Sequence, residues 1–395
     1  MFGGLVMRVT SIMLALPLLA LAACGGAGPE SAGSVAAPPA GTGGTGSGGT
    51  GSGGSGTGVG AAPTPTPTPS AGFLSVAEET TFTAVGAAHS FDYSSTNGVI
   101  TSVLYQGNAG TVRSPSGSVA YSPRDGIFTL TLNDTKAGIT RTNRFQDPAH
   151  RSDFNPESTP SLEAPNLAGF NYLTSGNATQ TTTFFYQRPD STIHVTLGGF
   201  SYLAKDAAGV LTERDHGVMV FGALTPQTQI PISGSGTYNG GFIASAVLNP
   251  TFDSTSPRTS YMQWITGDSR VLVDFGRSTV AVDLSGRLGP TFSEGTRIAD
   301  AALLYPSGTY FAASGSATID LIRTGGFAGV FDTAFLGTRA IDFAGISAGS
   351  STAGASSIDG AFFGPNAVNV GGSFRIVGGV PDQRVDIQGA FTGSR

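Results

Sequence analysis

From residue 233 to the C-terminus, apolar and polar residues alternate with a period of two in short segments separated by glycine-rich turns. The segment 270–275 alternates in this way, and after a Gly-Arg-Ser turn the segment 280–284 resumes the pattern. Because a period of two places successive side chains on opposite faces of a strand, these segments predict β-strands with one buried face. Six further strands are predicted at 236–243, 317–322, 327–331, 358–363, 374–377 and 385–391.

This series of about eight short strands predicts either a β-sandwich or an antiparallel β-barrel. Glycines within the strands, at Gly329, Gly360 and Gly389, favour the tight bends of a small closed barrel. Phe362 and Phe363 are adjacent in one strand and therefore point to opposite faces. At most one of these two rings can fill a barrel interior.

The composition also favours a mainly β fold. The chain has 59 glycines and only 12% charged residues, and its two lysines are Lys136 and Lys205. Frequent Gly, Ser and Thr suit short strands and tight turns, whereas long helices prefer Ala, Leu, Glu and Lys. A net charge of −6 without a basic run argues against a nucleic-acid partner, because such binding requires neutralised phosphates.

Residues 1–23 predict a lipoprotein signal peptide. An apolar run at 12–20 follows Arg8 and is shorter than the roughly 20 residues that a permanent membrane helix needs. It leads into Leu-Ala-Ala-Cys-Gly, which resembles the bacterial lipobox and contains Cys24, the only cysteine of the chain. The alternative is an ordinary signal peptide cut after an Ala-x-Ala site. Translation can begin at Met1 or equally at Met7.

The lipobox resemblance implies that Cys24 becomes a lipidated N-terminus, with palmitate among its acyl chains, and so anchors the protein in a membrane. Gly25 at the next position implies sorting to the outer membrane. Residues 24–72 consist largely of Gly, Ser, Thr, Ala and Pro, with Glu30 as their only charge. Such a segment buries too little apolar surface to fold, so it predicts a disordered tether.

The first half of the remaining chain predicts more scattered strands. A segment with four prolines, 142–166, predicts a long exposed loop, a class of loop that is often functional. The predicted strands of this half lie at 99–105, 127–132, 182–187, 192–202 and 218–221.

Three motifs resemble the transferrin-binding protein B family of surface lipoproteins. Residues 220–226 with 230–240 look like the junction between its handle domain and its β-barrel, and 360–374 look like the final hairpin of that barrel. Residues 197–202 are similar to a handle strand. The resemblance implies one lobe of the two found in that family. Its parts would be a handle-type β domain at 73–228 and an eight-stranded antiparallel β-barrel at 229–395.

The resemblance further implies an outer-membrane lipoprotein at the cell surface that binds a host protein, haem or iron, or another solute, without catalysis. A TonB-dependent receptor or a surface-lipoprotein translocon would be a partner. The family's transferrin contacts have no residue-by-residue match here, so the sequence assigns no ligand-binding residue and no cofactor. The alternative is a structural or adhesive envelope lipoprotein without a dedicated ligand.

Catalytic and metal motifs are weak. Gly345-Ile346-Ser347-Ala348-Gly349 matches a nucleophile elbow, but in that fold a histidine follows the serine, and all four histidines precede Ser347. The histidines also lack metal-ligand spacing. We therefore predict no catalytic and no metal-binding residue, and an enzyme is not expected. The four histidines are His89, His150, His194 and His216.

Five further residues are interpreted one by one. His150, near Asp147 in the proline-rich loop, could contact haem or a metal, although an ordinary polar loop residue is the simpler interpretation. Asp274 and Asp283 lie on the two arms of a predicted hairpin, out of phase with its apolar face, which indicates a solvated sheet face. Trp264 is either an interface hot spot or a buried barrel residue. His194 alternates with apolar neighbours and is predicted to lie on a strand surface.

Overall fold

The computed structural model describes residues 76–109, 116–134, 138–146, 164–187, 194–249, 260–293, 296–299, 305–341, 343, 356–378 and 384–395. By compactness the chain divides into Met1–Thr64 and Pro65–Arg395, and all described residues belong to the second unit. The signal peptide, the whole predicted tether with Cys24, His150 and the Ser347 motif lie outside the described residues. Within the described ranges, no helix has the length and apolarity needed to cross a membrane.

Nine antiparallel strands form the first sheet, here called the handle sheet. Their order is β5-β4-β3-β1-β9-β8-β7-β6, with β2 paired to β1 outside this path. The strands are β1 (Thr80–Thr96), β2 (Val99–Ala109), β3 (Gly117–Ser122), β4 (Ile127–Asp134), β5 (Ile139–Gln146), β6 (Phe170–Gly176), β7 (Gln180–Gln187), β8 (Val195–Lys205) and β9 (Leu211–Gly222).

The handle sheet curls around a core of its own. Phe128 on β4 and Phe184 on β7 are separated by four strands in the sheet order, yet their ring centroids lie 5.6 Å apart. Phe184 also contacts Phe145 of β5 at 5.7 Å. The sheet is therefore an open half-barrel whose inner face is lined with aromatic rings.

The second sheet closes into an eight-stranded antiparallel barrel, which confirms the predicted fold class. The ring runs β10-β11-β12-β14-β15-β17-β18-β19, and β19 pairs with β10 to close it. These strands are β10 (Ser235–Asn249), β11 (Tyr261–Asp274), β12 (Thr279–Ser293), β14 (Tyr310–Asp320), β15 (Gly326–Leu336), β17 (Ser357–Phe363), β18 (Asn369–Gly378) and β19 (Arg384–Ser394). Two short strands, β13 (Thr296–Ile298) and β16 (Arg339–Ala340), extend β12 and β15.

The hairpin at 358–374 behaves as its sequence predicts in one respect and not in another. Phe362 packs in the barrel interior and Phe363 packs outside it, so the prediction of opposite faces is confirmed. The hairpin is β17–β18, however, and the final one is β18–β19. The prediction of a final, closing hairpin was wrong because closure depends on the pairing of β19 with the distant strand β10, which local sequence does not specify.

Cross-strand pairs of Phe and Gly explain the glycines within the strands. Phe327 lies directly opposite Gly360, and a Cβ atom at Gly360 would overlap the Phe327 ring. Phe374 and Gly389 form the same arrangement on β18 and β19. These glycines leave space for a ring over the neighbouring strand, so a small barrel can hold many large aromatic side chains.

The handle sheet and the barrel are joined by a short connection that contacts the β17–β18 turn. The Thr225 amide donates to the Phe362 carbonyl at 2.8 Å, and its Oγ1 donates to the Gly364 carbonyl at 2.6 Å. The Gly364 amide donates to the Ala223 carbonyl at 2.8 Å. Gly364 itself has a φ of 71°, which glycine adopts without strain. The motif at 220–226 and the motif at 360–374, which are distant along the chain, are thus hydrogen bonded to each other.

The handle sheet departs from the sequence prediction at four strands, because β1, β3, β5 and β6 were not predicted. Residues 142–146, predicted as the start of an exposed loop, belong to β5, and Phe145 is buried in the handle core. In β1, residues 84–87 are buried on both faces, so the sequence there does not alternate between apolar and polar residues.

Replacing Gly360 by Ala should lower the free energy of unfolding by about 1–3 kcal/mol, because the new Cβ overlaps the Phe327 ring within a closed barrel. Urea denaturation measures the change. Gly276→Ala is the matched control, since a Cβ there meets no atom closer than 3.5 Å. Equal losses in the two variants would contradict the proposed role of the Phe–Gly pair.

Candidate functional site

The handle sheet covers part of the outer wall of the barrel, and we call this contact the seam. Its apolar part joins Val85, Val218 and Val220 of the handle to Ile243 and Phe363 of the barrel in one buried cluster. On the barrel side, β10 and β19 have buried residues on both faces through 242–248 and 385–393. Polar residues on these strands are therefore enclosed between the two sheets.

A Ser-His-Asp arrangement lies within the seam. His89 of β1 is hydrogen bonded through Nδ1 to the Ser245 Oγ of β10 at 2.8 Å. Its Nε2 lies 3.5 Å from Asp386 Oδ1 of β19. Ser245 lies 156 positions after His89 in the sequence, and Asp386 lies 297 positions after it. Only the packing of the handle on the barrel brings the three residues together.

Asp386 also pairs with an arginine of the barrel. Arg375 Nη2 on β18 donates to Asp386 Oδ2 at 2.9 Å, and its Nε lies 3.5 Å from Oδ1. Burial acts to raise the pKa of Asp386, but the hydrogen bonds and charges of His89 and Arg375 outweigh it, so that the pKa lies below its ordinary value. The carboxylate is therefore held charged within the seam.

A second histidine and the only tryptophan lie beside this group. His216 of β9 is directly opposite His89 in the sheet register. Its ring meets Trp264 edge-on at 5.9 Å and Phe91 edge-on at 6.2 Å. Trp264 is buried on the outer wall of the barrel and also contacts Phe185 of the handle at 5.9 Å. Trp264 is thus an interface residue, but the interface lies within the chain.

The residue types resemble a hydrolytic triad, yet their burial indicates a structural role. His89, Ser245 and Asp386 all have 0% exposure. A nucleophile must reach a carbonyl carbon of a substrate, with donors for the oxyanion about 3 Å away. The Ser245 hydroxyl contacts His89 of the handle sheet and is closed to solvent among the described residues. The arrangement therefore fastens the handle to the barrel through paired, buried polar groups.

The structure separates the residues that the sequence singled out. Asp274 lies opposite Thr279 and Asp283 opposite Arg270, so the two carboxylates do not form a pair. Asp283 instead accepts a hydrogen bond from the Ser314 hydroxyl at 2.8 Å.

His194 lies at the start of β8, where it is half-buried against Gly364, and burial lowers its pKa. It is partly exposed at the start of the strand that the sequence predicted, beside the barrel hairpin. Within the described ranges, no three His, Cys, Asp or Glu side chains are arranged to hold a metal ion.

No sequence pattern indicated the Ser245–His89–Asp386 group. Asp386 alternates with Val385 and Ile387, a pattern typical of a solvent-facing residue in a half-buried strand. One useful signal lies in the same strand. The positions after Asp386 and Gln388, 389–393, contain no charge, which indicates that this strand is covered on both faces. That signal is weak in a glycine-rich chain.

Replacing Asp386 by Asn should lower the free energy of unfolding by about 3–5 kcal/mol at pH 7, because Arg375 and His89 would face an uncharged amide inside the seam. Urea denaturation followed by Trp264 fluorescence measures this change. Asp283→Asn, on the outer face of the barrel, is the control and should change the free energy by about 0.5 kcal/mol or less. A small effect at Asp386 would contradict the fastening role.

The variant Asp386→Asn also tests how the stability of the protein depends on pH. Because the pKa of Asp386 is lowered by folding, its contribution to stability is complete above the ordinary aspartate pKa of about 4. The contribution is lost as the pH falls from there through the lowered pKa. We expect the Tm of the wild type to fall more steeply below about pH 4 than that of Asp386→Asn. Parallel Tm profiles of the two proteins would refute this.

No protein-family profile matches the chain, and no curated protein matches it. Among solved structures, the chain is similar to intact Ap-TbpB with its N and C lobes, at a TM-score of 0.32 and 12% identity over 80% of this chain and 77% of that one. It is also similar to a variant of transferrin binding protein B, a vaccine antigen from Haemophilus parasuis Hp5. Here the TM-score is 0.32 and the identity is 13%, over 79% of this chain and 76% of that one.

A third similar structure is the isotype 1 transferrin binding protein B from serogroup B Neisseria meningitidis. Its TM-score is 0.24 and its identity 9%, over 80% of this chain and 77% of that one. TM-scores and identities this low do not carry a function from these proteins to this chain. Its function has to be argued from its own residues.

Proposed function

We propose that this protein is a lipoprotein of the outer membrane, anchored through Cys24, that displays a handle-and-barrel body at the cell surface as a non-catalytic binding protein. Its ligand would be a host protein, haem or iron, or another solute. The observation that carries the proposal is the order of parts along the chain. A lipobox at 21–25 precedes an almost uncharged tether, and a sheet joined to a closed barrel follows.

The joined body suits a binding role. The seam buries the Ser-His-Asp group and fastens the handle to the barrel, so that turns from both parts are held in a fixed relation. A rigid scaffold that carries exposed turns is a common design for recognition. The three sequence motifs that resemble the transferrin-binding protein B family support the same function.

Exposed apolar side chains at one end of the barrel offer a contact surface. Ile232, just before β10, is 90% exposed, and Ile322, in the turn between β14 and β15, is 84% exposed. Gln227 of the connection donates to the Leu321 carbonyl at 3.1 Å, so this turn lies beside the handle–barrel connection. Exposed apolar groups at adjacent turns favour contact with a partner.

Replacing Cys24 by Ser should move the protein from the membrane fraction to the soluble fraction, because the lipidation site is lost. Ser31→Ala, in the tether, is the control and should stay in the membrane. Protease applied to intact cells should remove the wild-type body. Full protection of the body in intact cells would overturn surface display, and a membrane-bound Cys24→Ser protein would overturn the anchor.

Ligand capture tests the binding role. Affinity purification from intact cells, followed by mass spectrometry, should recover a bound molecule whose yield falls about tenfold in Ile232→Asp with Ile322→Asp. Val330→Asp is the control, on an exposed strand position away from these turns. A deletion strain with unchanged iron and haem uptake but altered cell aggregation would instead favour a structural or adhesive envelope protein.

A further inference from the structure

One side chain enclosed in the seam has no protein partner for its polar atoms. Gln388 of β19 is fully buried, and neither its Nε2 nor its Oε1 is hydrogen bonded to any other described residue. A glutamine side chain carries two N–H donors and one carbonyl acceptor. Both the donor and the acceptor of this amide are therefore removed from bulk solvent without a protein group to replace it.

The sheet register places Gln388 between two polar residues of the neighbouring strands. Ser245 of β10 lies directly opposite it on one side, and Arg375 of β18 lies opposite it on the other. Ile387 belongs to the barrel core, so the next residue, Gln388, points to the outer wall, as Asp386 does two positions earlier. Residues opposite each other in antiparallel strands have Cβ atoms about 5 Å apart. The Gln388 amide therefore lies in the seam, close to Ser245 and on the same face as Asp386.

The Ser245 hydroxyl has unused acceptor capacity. Its Oγ is hydrogen bonded to Nδ1 of His89. Nε2 of the same ring faces Asp386, and an ionised carboxylate only accepts hydrogen bonds, so the proton of a neutral His89 lies on Nε2. Nδ1 is then the acceptor and the Ser245 hydroxyl is the donor. The lone pairs of Ser245 Oγ are left for another donor.

The chemistry around Gln388 favours a small neutral molecule that both donates and accepts hydrogen bonds. Burying an amide without a hydrogen-bond partner destabilises a fold, and native proteins commonly place an internal water beside such a group. An ion is not required, because Asp386 is already paired with Arg375 and His89. A water molecule offers two donors and accepts as well, and an internal water typically makes about three hydrogen bonds.

We propose that the seam binds an internal water molecule between Gln388 and Ser245. The water accepts a hydrogen bond from Nε2 of Gln388, donates one to Oε1 and donates its second proton to Ser245 Oγ. It thereby connects Gln388 to the Ser245–His89–Asp386 group and adds a water-mediated link to the hydrogen bonds that fasten the handle to the barrel. This hydration site depends on neither the proposed anchor nor the proposed ligand.

A crystal structure of the full chain with Cys24→Ser, at a resolution that shows ordered water, tests the site directly. We expect one water within about 3.2 Å of the Gln388 amide and of Ser245 Oγ, enclosed between the two sheets. An amide bonded directly to a protein group would overturn the proposal. An amide without an ordered water beside it would overturn it as well.

The sign of one stability change provides a second test. In Gln388→Met, an apolar side chain of similar length leaves the water with Ser245 alone, so the Tm should fall by about 3–5 °C. If the Gln388 amide had no partner in the folded protein, its removal would instead raise the Tm. A raised or unchanged Tm would therefore refute the water site. Gln180→Met is the matched control and should leave the Tm unchanged, because Gln180 is exposed on β7.

A double-mutant cycle connects the water to Ser245. Ser245→Ala and Gln388→Met each remove a partner of the same water, so the Tm loss of the double variant should be smaller than the sum of the two single losses. Ser245→Ala combined with Gln180→Met is the control pair, and its losses should add. Additive losses for Ser245 and Gln388 would contradict a shared water. If a variant does not fold, the crystal structure of the Cys24→Ser chain decides alone.

Discussion

Strands β10 and β19 are buried on both faces through 242–248 and 385–393, and the architecture of the described body depends on that double burial. Their inner faces complete the barrel core, and their outer faces lie under the handle sheet. Polar groups on these outer faces are removed from solvent, so a partner from the handle or the barrel stabilises them. His89 is such a partner for Ser245 and for Asp386, and Arg375 is a second partner for Asp386.

This constraint explains why the handle and the barrel act as one body. An apolar contact alone would tolerate sliding, because hydrophobic burial is not directional. The hydrogen bonds of His89 on β1 with Ser245 on β10 and with Asp386 on β19 are directional and fix the register of one sheet on the other. The inner face of the handle holds a charged group of its own, in which Arg141 bridges Glu213 and Asp215.

The sequence predicted the barrel better than the handle. The alternation in 280–284 corresponds to β12, whose outer residues meet solvent, so that its pattern follows its surroundings directly. The opposite orientations of Phe362 and Phe363 followed from period two alone. In the handle, β1 and 142–146 were missed, since both depend on burial by distant strands. The Ser245–His89–Asp386 group was missed for the same reason, because the sequence around Asp386 is typical of a solvent-facing strand residue.

By itself the sequence determined the class of the fold and the order of its parts. Strand periodicity, glycine-rich turns and the motifs at 220–240 and 360–374 are local properties. They can be recognised in the sequence without knowing which strands pair. Only the tertiary structure decided which charges meet. The curl of the handle sheet joins Arg141 to Asp215, and the packing of the handle on the barrel joins His89 to Asp386. The members of each pair are more than seventy positions apart in the sequence. Pairing at such separations depends on three-dimensional packing, to which no local pattern refers.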